Sequence, residues 1–277
     1  MSALLVAKIV IPFILAYAGV CLLMFLMQDR LIFARHLAVH NLPDRLSLKY
    51  LDEMTLDVAP GVALHGYYSP NRDEGAPLII AFGGNADSAA ELAKNLEWQF
   101  PKHRVAVFDY RGYGKSTGEP SQKALYADAL TVHDNLVAQF KPAYVVLVGH
   151  SLGSGMAVYL SAMRKLAGML LVTPYDSLAR VAQQAYPFLP VMLLMKHRFP
   201  SYKYMVGNGT PTQIIVAGRD SLVRPERGRA LRDITRNLVG YTEIPDVGHN
   251  EIRMSPLYEE AFQKALLTLT PTSEGHK

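Results

Sequence analysis

"YVVLVGHSLGSG", residues 144–155, is the stretch on which the reading of the fold turns. A run of apolar, mostly β-branched residues stops at Gly149-His150-Ser151-Leu152-Gly153, and a helix-compatible stretch, "LGSGMAVYLSAM", follows. The run has the marks of a buried strand. A strand that turns sharply into a helix through G-x-S-x-G throws the serine hydroxyl clear of the backbone. A side chain two residues either side of Ser151 would collide across so sharp a turn, which accounts for Gly149 and Gly153. The helix beginning at Leu152 points its free N–H groups toward the reacting oxygen. The competing reading is a Gly/Ser-rich turn at a strand end with no chemistry attached.

Outward from this elbow the same alternation repeats. "PLIIAFG", "RVAVFDY", "GMLLVT", "TQIIVAG" and "LVGYTEI" are short apolar runs, and helix-like segments such as "DSAAELAKNLEWQF" and "SQKALYADALTVHDNLVAQF" separate most of them. "MTLDVAPGVALHGYY" predicts a hairpin turning at Pro60-Gly61. This is the pattern of an α/β fold whose mostly parallel sheet carries helices on both faces. The 277 residues, half of them apolar, suffice for one such domain with a full core. A net charge of +4 without any Lys/Arg run or basic stripe gives no nucleic-acid surface. The single cysteine, Cys21, excludes an internal disulfide and a cysteine-cage metal site.

A serine hydroxyl is a poor nucleophile until a base removes its proton. Of nine histidines, His249 in "IPDVGHNE" follows the last predicted strand on a glycine-containing loop, and stands after both the serine and the candidate acid. That is the Ser…Asp…His order of the nucleophile-elbow folds. His150 adjoins the serine, but its side chain should leave the elbow in another direction. Three aspartates compete for the acid: Asp220 in "VAGRDSLVRP" is placed first, ahead of Asp176 in "LLVTPYDSL" and Asp246 in the histidine loop. The carboxylate would hold the imidazole in the tautomer that accepts the serine proton. For the oxyanion, the Leu152 N–H is one expected donor. The loop "FGGNADS" supplies the second, with Gly83 and Gly84 allowing close approach and Asn85 N–H donating.

The first segment differs from the rest. Ile9–Met27 is free of charge, and as a helix of about 28 Å it matches the hydrocarbon thickness of a bilayer. Pro12 is expected in its first turn, where a missing N–H costs little. "AYA" at residues 16–18 could pass for a signal-peptidase site, but the apolar run continues nine residues further, which favours a retained anchor. Lys8 on one side and Arg30, Arg35 and Arg45 on the other leave the orientation open. The expected division is an anchor and flank at 1–30, a juxtamembrane connector at 31–50, the α/β domain at 51–270 with a cap at 178–211, and a frayed tail at 271–277. In the connector, "HLAVH" spaces His36 and His40 as helical metal ligands would be, but lacks the glutamate of zinc hydrolases and reads as a solvated face. "GKST" at 114–117 imitates a phosphate-binding loop, yet Asp109 stands where that motif needs glycine. Nucleotide binding is rejected, and Asp109 and Arg111 are expected to fix the loop bordering the site.

"FGGNA", "FDYRGYGKSTGEPSQ", "GHSLGSG", "GRDSLV" and "VGHN", in that order behind an apolar helix and "QDRLIF", resemble the membrane-anchored α/β-hydrolases of the bud-emergence type. Those are relatives of the α/β-hydrolase-domain lipases, the depalmitoylases and the serine-aminopeptidase-like group. The resemblance spans essentially the whole chain. It implies the α/β-hydrolase fold, Ser151 as nucleophile, Asp220 as acid and His249 as base. Gly83-Gly84-Asn85 departs from the family's frequent His-Gly-Asn, which bears on the packing of the oxyanion loop. The expected function is a single-pass membrane serine hydrolase cleaving esters or thioesters, with amides less favoured and no cofactor or metal. Its expected partners are the bilayer and a small-molecule or acylated-protein ester. The apolar cap stretch "YPFLPVMLLMKHRFP" reads either as an acyl-chain groove or as an ordinary helix packing on the core. The alternative function is a catalytically silent member of the fold, kept as an interaction module at the membrane.

Overall fold

Leu78–Phe82 (β3) and Val145–His150 (β5) are buried at every position, a pattern open only to strands covered on both faces. In the computed structural model, which describes residues 3–36, 49–70 and 72–270, they lie at the centre of an eight-stranded sheet. The other strands are β1 (Asp52–Ala59), β2 (Val62–Tyr68), β4 (Arg104–Phe108), β6 (Gly168–Val172), β7 (Thr212–Ala217) and β8 (Leu238–Ile244). The order across the sheet is β1-β2-β4-β3-β5-β6-β7-β8. β1 and β2 form the hairpin predicted at Pro60-Gly61, and β2 pairs antiparallel with β4. From β4 to β8 every pairing is parallel.

Alternate side chains of the central strands feed two separate cores. Leu78, Ile80, Val145 and Leu147 join one with α3 (Gln122–Phe140), α4 (Leu152–Met163) and α8 (Pro225–Asp233). Ile79, Ala81, Val146 and Val148 join the other with α2 (Ala89–Gln99) and α9 (Pro256–Thr268). Two-sided burial of this kind is why the runs are continuously apolar instead of alternating. Parallel registry brings the strand ends level: Phe82 faces Gly149, His150 faces Val172, and Ala217 faces Ile244. The loops that follow β3, β5, β7 and β8 therefore meet along one rim, where open α/β sheets place their sites.

α1 spans Ala3–Ile32, so Pro12 lies well inside the helix and not in its first turn. The helix starts earlier than the uncharged run because Ala3–Lys8 are themselves good helix formers. Pro12 thus removes one interior hydrogen bond instead of an end group. From Lys8 to Ile32 the helix is long and apolar enough to cross a membrane, and it is exposed from Lys8 to Val20. Between β6 and β7 the chain makes three short helices, α5 (Leu178–Ala185), α6 (Val191–Leu194) and α7 (Ser201–Met205). Ala179, Val191 and Met195 form a small core of their own there, with Ile32 of α1 packed against it. His40 and the tail at 271–277 lie outside the described residues.

Candidate active site

Ser151 sits at φ 49°, ψ −115°, between the last residue of β5 and the first of α4. A non-glycine residue in that region costs on the order of 1–3 kcal/mol. The surroundings hold it there: Ser151 N–H donates to Val172 O at 2.9 Å, and Ser151 O accepts from the Ser154 N–H at 3.0 Å and from its Oγ at 2.6 Å. The two flanking glycines answer two different obstacles. A Cβ on Gly149 would lie 2.8 Å from Ser154 Cα and Ala157 Cβ, across the turn. A Cβ on Gly153 would fall on the Phe82 carbonyl oxygen, far inside van der Waals contact. That second obstacle belongs to the neighbouring strand and not to the turn, because the first turn of α4 lies directly against the end of β3.

The Ser151 hydroxyl is 2.9 Å from His249 Nε2, and His249 Nδ1 is 2.6 Å from Asp220 Oδ2. All three residues are buried, Asp220 most completely. The second oxygen, Asp220 Oδ1, accepts the N–H groups of Leu222 at 2.9 Å and Val223 at 2.7 Å. With both oxygens acting as acceptors, the carboxylate requires a proton on Nδ1. That leaves Nε2 with a lone pair facing the serine. The other two aspartates are occupied elsewhere. Asp176 is buried between Arg180 at 2.5 Å and Arg227 at 3.4 Å, and Asp246 pairs with Arg219 at 2.5 Å on the surface. Neither bonds His249 among the described residues.

The loop after β3 shows how its glycines are used. Tyr110 donates its hydroxyl to Gly83 O at 2.6 Å, and Gly84 N–H donates to Asp87 Oδ2 at 2.5 Å. Among the described residues, the N–H groups of Asn85 and Leu152 donate to no acceptor. The Asn85 side chain does something that sequence reasoning did not foresee. Its Nδ2 donates to Ile32 O at 2.8 Å, while its Oδ1 accepts Ala34 N–H at 3.1 Å and the Tyr113 hydroxyl at 2.6 Å. The loop is thereby tied to the end of α1. Arg111 forks onto Asp128 of α3 with two bonds of 2.6 Å, and Gly114 folds its α-carbon against the Asp109 carboxylate.

Sequence reasoning also missed a charged cluster behind the histidine, in which His150 is buried, Asp87 half-buried and Arg253 exposed. His150 Nδ1 lies 2.8 Å from Asp87 Oδ2 and 2.7 Å from Arg253 Nη2, and Arg253 forks onto Asp87 at 3.0 and 2.7 Å. The His150 ring stacks on the His249 ring at 5.8 Å between centroids. A Cβ on Gly84 would lie 2.8 Å from His150 Nδ1, so this ring fills space beside the glycine loop. Burial, then the Arg253 charge, pull the His150 pKa down to about 4. Burial opposes ionisation of Asp87, but His150 and Arg253 outweigh it and hold that carboxyl well below the usual carboxylate range. At neutral pH the cluster is an Asp87–Arg253 ion pair against a neutral imidazole. The adjacency of His150 to Ser151 was its only sequence signal, and Arg253 had none.

Residues 78–190 match the family model described as the alpha/beta hydrolase fold. An uncharacterized protein of Mycobacterium tuberculosis is 33% identical over 205 residues, covering 72% of each chain. Alpha/beta hydrolase domain-containing protein 17B of Xenopus laevis is 29% identical over 166 residues, 58% of this chain and 55% of its own length. Among solved structures, the Pyrococcus furiosus esterase Pf2001 superposes with a TM-score of 0.62 at 18% identity, covering 83% of this chain and 93% of its own.

Proposed function

The chain belongs to the α/β-hydrolase fold family, and on that premise we propose that it is a membrane-anchored serine hydrolase cleaving an ester or thioester through an acyl-enzyme. One observation carries the reading: the hydrogen-bonded line from Ser151 Oγ through His249 to Asp220. In this reading His249 Nε2 takes the hydroxyl proton as Oγ bonds to the substrate carbonyl carbon. Asp220 stabilises the imidazolium and keeps its orientation. The oxyanion is received by the free N–H groups of Leu152 and Asn85, as the contact of Gly153 with the end of β3 allows. His249 then returns its proton to the leaving alcohol or thiol, and the acyl group stays on Ser151. Water, deprotonated by the same imidazole, releases the acid and restores the serine.

α1 supplies the reading of place. The helix from Lys8 to Ile32, apolar between Lys8 and Gln28 and exposed as far as Val20, suits a single span better than a water-facing helix. A small-molecule or acylated-protein ester held at that membrane is the substrate class proposed, without cofactor or metal. Labelling of the full-length protein in membranes with a fluorophosphonate probe tests this directly. Wild type is expected to label, and Ser151→Ala to show no label. Failure of correctly folded wild type to label would favour the silent interaction module instead.

A further inference from the structure

The apolar surface of α1 does not stop at α1. Phe13, Leu22, Leu23 and Leu26 are exposed on the helix. Beside it the cap reads "YPFLPVMLLM" from Tyr186 to Met195, without one charged residue. Phe188 is 88% exposed and Leu193 78%. The two surfaces are fastened side by side: the Tyr17 hydroxyl donates to Phe188 O at 2.8 Å, and Gln28 Oε1 accepts Lys196 N–H at 2.7 Å. Tyr17 and Gln28 are separated by about 16 Å of helix. The cap therefore runs along roughly half of the apolar length of α1 and does not merely touch its end.

Exposed apolar side chains alone do not identify what covers them, but the backbone of this tip does. A loop in water leaves its carbonyl and N–H groups to solvent, whereas in hydrocarbon each unsatisfied group costs several kcal/mol. Here Pro187 and Pro190 have no N–H to satisfy. The N–H groups of Leu189, Val191, Leu193, Leu194 and Met195 all find carbonyls within the tip. The Gln183 side-chain amide lies within reach of the Tyr186 and Leu189 carbonyls, which already accept N–H groups of the tip, at 3.3 and 3.0 Å, and of one further carbonyl, that of Pro187, at 3.5 Å. Tyr17 takes the Phe188 carbonyl. Among the described residues only the N–H groups of Phe188 and Met192 in the tip find no acceptor, so most of its backbone is satisfied as lipid requires. Its polar boundary falls at Gln28 and Lys196, whose ammonium rests 4.4 Å from the Phe25 ring centroid.

We propose that the cap tip, Tyr186–Leu194, is immersed in the same bilayer as α1, and that the apolar groove between them receives the acyl chain of an ester resident in that bilayer. The groove has a volume of about 90 Å³ and is walled by Met24, Phe25 and Ile32 on α1 and by Ala182, Leu189 and Leu194 on the cap. One of its walls is joined to the loop beside the serine, because the carbonyl of Ile32 is the one that Asn85 Nδ2 holds at 2.8 Å. The inference rests on the membrane-hydrolase reading and deepens it by choosing a lipid-embedded substrate over a dissolved one.

Depth-dependent quenching tests the immersion without relying on activity. Trp98 is the sole tryptophan, and in a Trp98→Phe background of the full chain Phe188→Trp places the fluorophore at the tip. In phosphatidylcholine vesicles with brominated acyl chains, strong quenching of the tryptophan introduced at 188 is expected, together with protection from aqueous iodide. A matching Leu22→Trp variant reports on α1. Quenching at 22 but not at 188 overturns the inference and leaves the anchor standing, with a second copy or another protein then covering the tip. Quenching at neither position overturns both. Entry from the lipid side has its own readout in the double variant Phe188→Asp, Leu193→Asp, which alters two exposed side chains outside the groove's walls. Hydrolysis of a long-chain ester embedded in vesicles is expected to fall about tenfold, with a short-chain soluble ester unaffected. Equal rates on both esters for wild type and variant would refute the lipid-side entry, whereas a wild type inert toward both refutes the hydrolase reading itself.

Discussion

Two aspartates stand beyond neighbouring strands, Asp176 after β6 and Asp220 after β7, and only their neighbours separate their roles. Asp220 is held by two N–H groups and faces His249, whereas Asp176 is saturated by Arg180 and Arg227. Asp220→Asn is expected to lower turnover by about four orders of magnitude, because the amide would leave the imidazole in the wrong tautomer. Asp176→Asn should spare turnover per folded molecule and reduce stability by about 2 kcal/mol, measured by denaturant titration. The opposite pattern would move the acid to Asp176. His150 gives a prediction of another kind. Its imidazole has a folded pKa of about 4, below the value near 6.5 of an unfolded histidine. Between those values the unfolded chain binds the extra proton, so stability rises with pH across that window and falls as pH drops through it. Wild type should lose about 2 kcal/mol between pH 7 and pH 5 through this residue, and His150→Gln should lose correspondingly less. Equal losses in the two proteins would show that the ring is not buried neutral.

At the scale of elements, the elbow and the sheet were legible because each leaves a local mark. Continuous apolar runs reported strands covered on both faces, and Gly149-His150-Ser151-Leu152-Gly153 reported the turn between β5 and α4. The reason for Gly153 was not legible, since its obstacle is Phe82, on a strand distant in sequence. Gly153→Ala should therefore separate α4 from β3 and cost about 3 kcal/mol, with fluorophosphonate labelling slowed in whatever folds. Gly19→Ala, on a helix position with open space around it, is the matching control and should cost nothing, stabilising by up to about 1 kcal/mol. The cluster of Asp87, His150 and Arg253 escaped notice for the same reason as Phe82. Its members come from the β3 loop, the end of β5 and the 3-10 turn at Ile252–Met254, and no spacing rule joins them. In the cap Val191 and Met195 pack inward, while Phe188 and Leu193, which the same apolar stretch could not tell apart from them, face out.

Over the whole molecule, the apolar helix and the hydrolase sheet form one connected structure. Met24–Ile32 walls the groove, Ile32 packs into the cap core, and Ala34 N–H completes the Asn85 side-chain contacts. Two truncations separate tethering from support. A protein beginning at residue 24 keeps every one of these contacts, whereas one beginning at residue 36 keeps none. The shorter protein should melt several degrees lower in the same detergent and label with fluorophosphonate at least tenfold more slowly per folded molecule, from the loss of one or more such hydrogen bonds and the packing around them. Identical melting and labelling of the two would show that α1 is only a tether. The bond between Asn85 and Ile32 also bears on how such a protein can diversify. A chimera that exchanges the whole leading helix for a foreign span would carry a mismatched seam into the reaction centre. Recombination can exchange the helix freely only upstream of Met24, while the stretch from there to Ala34 has to be inherited together with the loop it holds.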